Sequence, residues 1–364
     1  MTGSGTARPW KTGFEIELLA PKGRTRKDLA EAIARSMGGE VRTVFYPQSE
    51  PSLVPGLPVF ENLVLGFDVR DADGDRIALC VDDLTIRDGL NRSAAPVPGW
   101  MRILSDDARL LELVKRQCDP EASPAEVLEP IAALYGTVVE QAEGGIAKIA
   151  DSTARSIAMA APLPGERERP CELITPPYDT DPGPALAALL QYAIGLGFTV
   201  PKEAAVHIHF DAASLCSAPA LSRLILVLDR HGSFLRRIVR TNPHCVRLGP
   251  IAPGIVALAR SKAFKSADWE EARRKLAELK PTKYADFNLL NIAHSLPGKH
   301  TFEARIFPGT MEASDILRFA RLMEAVLVWA VSGKSAIPEE GRLLAALDLS
   351  AADRDAWAVR AREV

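Results

Sequence analysis

Cysteine is scarce in this chain, and what there is forms no pattern. Cys80, Cys118, Cys171, Cys216 and Cys245 are odd in number, widely spaced and never arranged as Cys-x-x-Cys. That argues against a disulfide framework or a zinc knuckle and for a reducing, cytoplasmic setting. Long apolar runs are missing as well. The longest near the C-terminus, Ala325-Val-Leu-Val-Trp-Ala-Val331, falls far short of a bilayer span, so no membrane partner is expected. The opening Met1-Thr2-Gly3-Ser4-Gly5 lacks the apolar core of a signal peptide. There is no basic surplus, since 44 Lys and Arg face 47 Asp and Glu for a net charge of -3. Nucleic acid is therefore not an expected partner. Neither a Gly-x-x-x-x-Gly-Lys-Ser loop nor a Gly-x-Gly-x-x-Gly turn is present, so a nucleotide would be held by metal and side chains. No Ser/His/Asp set has convincing context, which points away from covalent nucleophilic catalysis. Internal repeats and low-complexity linkers are also lacking.

What is present is a charged alternation written three times. Gly13-Phe-Glu15-Ile-Glu17-Leu18, Val206-His207-Ile-His209-Phe210 and Thr301-Phe-Glu303-Ala-Arg305-Ile306 each place two polar side chains at i and i+2 inside an apolar run. In an extended strand such residues share a face. Phe14, Ile16, Val206, Ile208, Phe210, Phe302 and Ile306 would then line the opposite face. Taken singly, Glu-x-Glu fits a solvated sheet face, and Glu-x-Arg fits a surface ion pair of little energetic worth. Together they leave a front of acids, imidazoles and one guanidinium. Neighbouring carboxylates raise one another's pKa and call for compensation, which a divalent cation supplies.

At 364 residues, 47% hydrophobic and 25% charged, the chain can bury a large core. Arg24 to Met37 reads as an amphipathic helix stopped by Gly38-Gly39. Pro47 to Pro58 reads as a loop, and Leu63–Val69 and Arg76–Val81 as strands joined by the turn Asp71–Asp75. Asn91 to Pro98 is irregular. Asp106 is expected to cap a helix reaching Cys118, with a second helix over Pro124–Tyr135. Ile146–Ala150 and Ser156–Ala161 resemble a hairpin. Helices follow at Pro184–Gly195, Ala218–Asp229 and Ala267–Leu279, strands at Phe287–Ile292 and Thr301–Phe307, and a long helix at Glu312–Val331 with a helical tail. The expected organisation is a catalytic domain over residues 1–335, with a mixed insert at about 40–170 shaping the acceptor pocket, and a tail over 336–364.

Glu15, Glu17, Glu172, His207 and Glu303 form an oxygen-rich ligand set with one imidazole. It suits Mn²⁺ and equally admits Mg²⁺. Arg305, one alternation beyond Glu303, offers a planar fork to a phosphate. Cys171, beside Glu172, either lines the site or is a small buried residue, the usual habit of a free thiol. His231, His244, His294 and His300 have no paired spacing and read as structural or exposed. Arg240, Asn242 and Arg247 line a pocket or cap a helix end.

The order Gly-Phe-Glu15-Ile-Glu17, Glu172-Leu-Ile-Thr-Pro-Pro177, His207-Ile-His209, Lys283-Tyr284 with Asn288-Leu289, and Thr301-Phe-Glu303-Ala-Arg305 with Gly309-Thr310 resembles the putative amidoligase family. That family is similar to glutamine synthetase and glutamate–cysteine ligase. The resemblance implies an α+β fold, a curved antiparallel sheet forming a half-funnel with helices on its convex side. ATP and Mg²⁺ or Mn²⁺ would sit on the concave face. Glu15, Glu17, Glu172, His207 and Glu303 would match metal positions, and His209 and Arg305 positions contacting phosphates. Lys283, Asn288 and Thr310 would match nucleotide or substrate positions. Family members often carry an aromatic residue where this chain has Ala304. They also carry a Trp-x-x-x-x-Asp-Gly-Ser-like segment before the Glu172 motif. Ile149-Ala-Asp151-Ser152 is its nearest fit, with Asp82 and Asp106 as rivals for the substrate-side aspartate.

The implied chemistry is ATP-dependent amide formation through an acyl phosphate, with Glu303, Arg305 and His209 catalytic. The substrates are a carboxylate and an amine drawn from amino acids, peptides or related small molecules. Ring-forming relatives leave a homo-oligomer open. Two rival readings stand beside it: a metal-dependent hydrolase with the same ligands, and a catalytically silent nucleotide-binding member of the fold.

Overall fold

The computed structural model describes residues 10–51, 59–245, 247–295, 299–333, 336–339 and 341–363. It is an α+β protein whose strands are β1 (Thr12–Leu19), β2 (Glu40–Pro51), β3 (Val59–Arg70), β4 (Arg76–Val81), β5 (Met101–Leu104), β6 (Glu140–Ala142), β7 (Ile146–Ala150), β8 (Ser156–Pro162), β9 (Pro170–Ile174), β10 (Ala205–Asp211), β11 (Phe287–Asn288) and β12 (Thr301–Pro308). The chain divides into two compact units. The first comprises Met1–Ile16, Pro176–Gln191 and Lys202–Val364; the second comprises Glu17–Thr175 and Tyr192–Pro201.

In the first unit the strand order is β11-β12-β10-β1, and the paired strands are antiparallel. The expected apolar residues are all buried: Phe14, Ile16, Val206, Ile208, Phe210, Phe302 and Ile306. One departure matters. Between β10 and β12 the register shifts, so that Ile208 faces Ala304 but Val206 faces Phe307. Two residues, Arg305 and Ile306, therefore stand opposite His207 alone, which is a β-bulge. Bulges bend a strand and re-aim its side chains, and they recur beside active sites. Phe307 consequently stacks on Phe319 of the helix Ala313–Val331, with ring centroids 4.9 Å apart.

The helix expected to stop at Asp229 runs on to Val239, because Leu235, Ile238 and Val239 continue its buried stripe. Ser217 caps its start, and Arg240 ends it in the left-handed conformation. Asn242 then donates to the carbonyls of Lys202 and Ala204. Arg240 and Asn242 thus serve a helix end. The strand expected over Phe287–Ile292 shrinks to Phe287–Asn288. The Asn288 Oδ1 accepts from the Leu290 amide, and a short helix, Leu290–His294, begins there.

The tail forms the helix Ala351–Arg362, whose Trp357 is fully buried. Ser350 caps it, and Arg321 grips Asp353 with two bonds of 2.8 and 2.9 Å. The Arg321 bond, opposed by burial and aided by Ser350, holds the Asp353 carboxyl below its ordinary value. A depressed carboxyl stabilises above its unfolded pKa, and that stability is lost as pH falls through the folded pKa. The thermal-midpoint gap between the natural chain and Asp353→Asn should therefore be steady near neutrality and close below about pH 4. Arg321 is 42% exposed, so the gap reflects at most about 1 kcal/mol. A gap that is the same at acid and neutral pH would remove the ion pair as its cause.

In the second unit the antiparallel order is β9-β4-β3-β5-β8-β7-β6, with β2 paired along the length of β3. β2 extends through Pro47 to Pro51, part of the expected loop, while residues 52–58 lie outside those described. Among the described residues it pairs with β3 alone, an edge position of the kind that tolerates Pro47. The helix Arg26–Ser36 packs on β2, β3 and β4. Thr25 and Asp28 form a reciprocal capping box at its start. At its end Gly39 meets β3 closely, since a Cβ there would lie 1.8 Å from the Arg70 carbonyl oxygen. Asp71 accepts the amides of Asp73 and Asp75 to shape the β3–β4 turn. Asp107, one residue past the expected cap, starts the helix Ala108–Gln117. Only Glu129–Tyr135 of the next expected helix is helical. Among the described residues no helix is long and apolar enough to cross a membrane.

Candidate active site

Register alone gathers most of the site. Glu15 on β1 stands opposite His207 on β10, His209 stands opposite Glu303 on β12, and Glu303 stands opposite Asn288 on β11. Side chains directly opposite one another lie about 5 Å apart at Cβ. Strand order therefore brings residues nearly 290 positions apart in the chain onto one polar face.

The contacts are specific. His207 Nδ1 lies 3.2 Å from Glu15 Oε2, and His209 Nε2 lies 3.1 Å from Glu15 Oε1. Arg305 Nη1 donates to Glu303 Oε1 at 2.5 Å, and Asn288 Nδ2 donates to Glu303 Oε2 at 2.7 Å. His207 and His209 approach Glu303 Oε1 to 3.8 and 3.9 Å. The Glu303 side chain is only 6% exposed and that of Arg305 13%.

These contacts set the charge states. Burial would raise the Glu15 carboxyl, but the charge of His209 and the bonds to both histidines hold it well below the usual carboxylate range. Burial likewise opposes ionisation of Glu303, and Arg305, then His209, pull it below its ordinary value. His209 is the counterpart: burial would lower it, but Glu15 and Glu303 raise it. The expected mutual repulsion of acids is met here by cations on the same face.

Glu15, His209 and Glu303 each offer a ligand atom, and these atoms lie within 4.8 Å of one another. Two carboxylate oxygens and one imidazole nitrogen suit Mg²⁺ or Mn²⁺, so the donor set fits a divalent ion. Both imidazoles face the carboxylates, rather than His207 alone.

The other expected residues are placed as follows. Glu17 lies on β1 beyond Ile16 and is buried; Glu172 lies on β9 opposite Val81 and is half-buried. Both belong to the second unit. Cys171 is fully buried, the usual habit of a free thiol. Lys283 Nζ sits 5.4 Å from the Tyr284 ring, with Arg247 at 5.5 Å from the same ring. Thr310 accepts the amide of Glu312 just before the helix Ala313–Val331. Asp82 is fully buried against Arg167, Asp106 is exposed, and Asp151 is bound to its own hairpin turn through Thr153 and Arg155.

Three supporting residues escaped the sequence. Thr301 Oγ1 lies 3.2 Å from His209 Nδ1, and Asn291 Nδ2 donates to that same oxygen at 3.1 Å. The Asp286 carbonyl accepts the amide of the bulged Arg305 at 2.9 Å, while its carboxylate binds Arg236. Thr301 was within reach of the sequence, because it shares the i, i+2 face of Glu303. Asn291 and Asp286 carried no signal.

A family model described as a putative amidoligase enzyme matches residues 8–327. No curated protein matches the chain significantly.

Proposed function

The chain belongs to the putative amidoligase family, and from that premise we propose that it is an ATP-dependent acid–amine ligase. The observation that supports this most is the meeting of Glu15, His209, Glu303 and Arg305 on one face of the first unit's sheet. When bound, ATP with Mg²⁺ or Mn²⁺ would supply the activation of a substrate carboxylate as an acyl phosphate, which an amine converts to an amide with release of phosphate.

The chain's own residues do the rest. Glu15, His209 and Glu303 hold the ion from three strands whose mutual register is fixed by backbone pairing. Arg305, half-buried and held by Glu303, presents a fixed positive charge where negative charge develops. A charge that need not reorganise is most effective in such a water-poor setting. Lys283 and Thr310 belong to the nucleotide side of this proposal, and Glu17 and Glu172 to its further metal ligands. The half-funnel curvature of the glutamine synthetase type is part of the same proposal. A small carboxylate and amine, free or at a peptide terminus, are the proposed substrates.

The test is an ADP-release screen of amine–acid pairs with Mg²⁺ or Mn²⁺. ADP should appear only when a carboxylate and an amine are both present. ADP release without the amine would identify a hydrolase, and ATP binding with no turnover of any pair would identify a silent member.

A further inference from the structure

The segment Asn288-Leu-Leu-Asn291 lies where β11 gives way to a short helix, and both of its asparagines point back at residues of the candidate site. Asn288 is 3% exposed. Its Nδ2 donates to Glu303 Oε2 and its Oδ1 accepts from the Leu290 amide, so both ends of the amide are engaged by the protein. Three residues on, Asn291 Nδ2 donates to Thr301 Oγ1, which lies 3.2 Å from His209 Nδ1. The resemblance matches Asn288 to nucleotide or substrate, yet its hydrogen-bonding groups are turned to Glu303 and the backbone.

We infer that Asn288 and the Asn291–Thr301 pair are positioning residues that set the orientation of Glu303 and His209 for a divalent cation. The inference rests on the metal reading above. A carboxylate carries about four lone-pair directions. With Arg305 on Oε1 and Asn288 on Oε2, the Glu303 plane is held from both sides, and each oxygen keeps one direction for an ion. Thr301 does the equivalent for the imidazole. Its hydroxyl takes the Asn291 hydrogen and can still accept from His209 Nδ1, which leaves Nε2, the nitrogen facing Glu15, as the ligand atom. Outer partners of this type commonly change metal affinity roughly 10- to 100-fold.

The experiment uses the full chain and Mn²⁺ alone, read by titration calorimetry and by the electron paramagnetic resonance of bound Mn²⁺. Asn288→Ser keeps an acceptor for the Leu290 amide but cannot reach Glu303; Thr301→Val keeps the shape of a strand residue and loses the hydroxyl. Each should weaken Mn²⁺ roughly 10- to 100-fold and alter the zero-field splitting of the bound ion, with metal-free thermal midpoints near that of the natural chain. If Asn288→Ser does not fold, Thr301→Val carries the test. Affinities within about threefold of the natural chain in the folded variants would overturn the inference, given the usual effect of such partners. Glu303→Gln separates the two levels of argument. If it too leaves Mn²⁺ binding unchanged, or if the natural chain does not bind Mn²⁺, the metal reading itself is wrong and the inference falls with it.

Discussion

Replacing Glu303 by glutamine is expected to remove nearly all of the proposed ATP-dependent amide formation while leaving the chain folded. The carboxylate is where the site's polar groups meet: Arg305 at 2.5 Å, Asn288 at 2.7 Å, and the two imidazoles just under 4 Å. Glutamine keeps the volume and one acceptor but removes the charge. One of its oxygens becomes an NH₂ group facing a donor, either Arg305 or Asn288, and Arg305 loses its partner in a largely buried pair, which together cost about 3–5 kcal/mol. That is tolerable within the stability of a domain. The functional loss is larger, because Arg305 and His209 lose the anion that balances them and the proposed ion would lose one of its proposed ligands. Turnover should fall by at least roughly a hundredfold, the scale seen when one preorganised electrostatic group is removed. Circular dichroism and ADP release on the same sample check both halves. Full turnover by folded Glu303→Gln would overturn the site assignment.

The polar face of the candidate site was legible because strand periodicity is local and sharp. Glu15, His207, His209, Glu303 and Arg305 each sit in an alternation short enough to read from five or six residues, and the buried partners Phe14, Ile208 and Phe302 confirm the faces. Pairing between strands is not local. Nothing in Thr301–Ile306 announces that a bulge opposite His207 will bring Phe307 opposite Val206, because the register shift depends on β10 as much as on β12. The short β11 was unreadable for a similar reason. Phe287–Ile292 has an apolar run fit for a strand, but one side-chain bond from Asn288 to the Leu290 amide turns it into a helix. Sequence periodicity ends the long helix at Asp229 because Arg230, His231 and Gly232 interrupt its apolar pattern. His231 is nevertheless buried, with its Nε2 2.9 Å from the Pro338 carbonyl oxygen. Polar residues that find a tertiary partner read in sequence as surface.

The second large effect concerns the second unit and Asp82. Arg167→Met should open the β3–β4 region, as seen by faster hydrogen exchange of its amides. Asp82 follows β4 directly and is fully buried, and the side chain of Arg167 is 16% exposed. The guanidinium binds the Asp82 carboxylate and also donates to the carbonyls of Ile86 and Asp83, so it pins the whole turn after β4. Removing one partner of a buried pair typically costs about 3–5 kcal/mol, because the remaining charge is stranded. Here the lower end is expected. Arg26, also fully buried, donates to the carbonyls of Leu65, Arg167 and Pro170, and burial pulls its pKa down while the Asp82 charge pulls it up. That second cation keeps some hold on the carboxylate. A loss of about 3 kcal/mol corresponds to exchange of the Cys80 and Val81 amides faster by roughly a hundredfold or more, where local opening governs exchange. The double variant Asp82→Asn with Arg167→Met should recover only about 1 kcal/mol of it, since the stranded carboxylate charge is gone but the bonds to Ile86 and Asp83 stay missing, at about 1 kcal/mol each. If the single variant exchanges like the natural chain, the pair does not hold this turn.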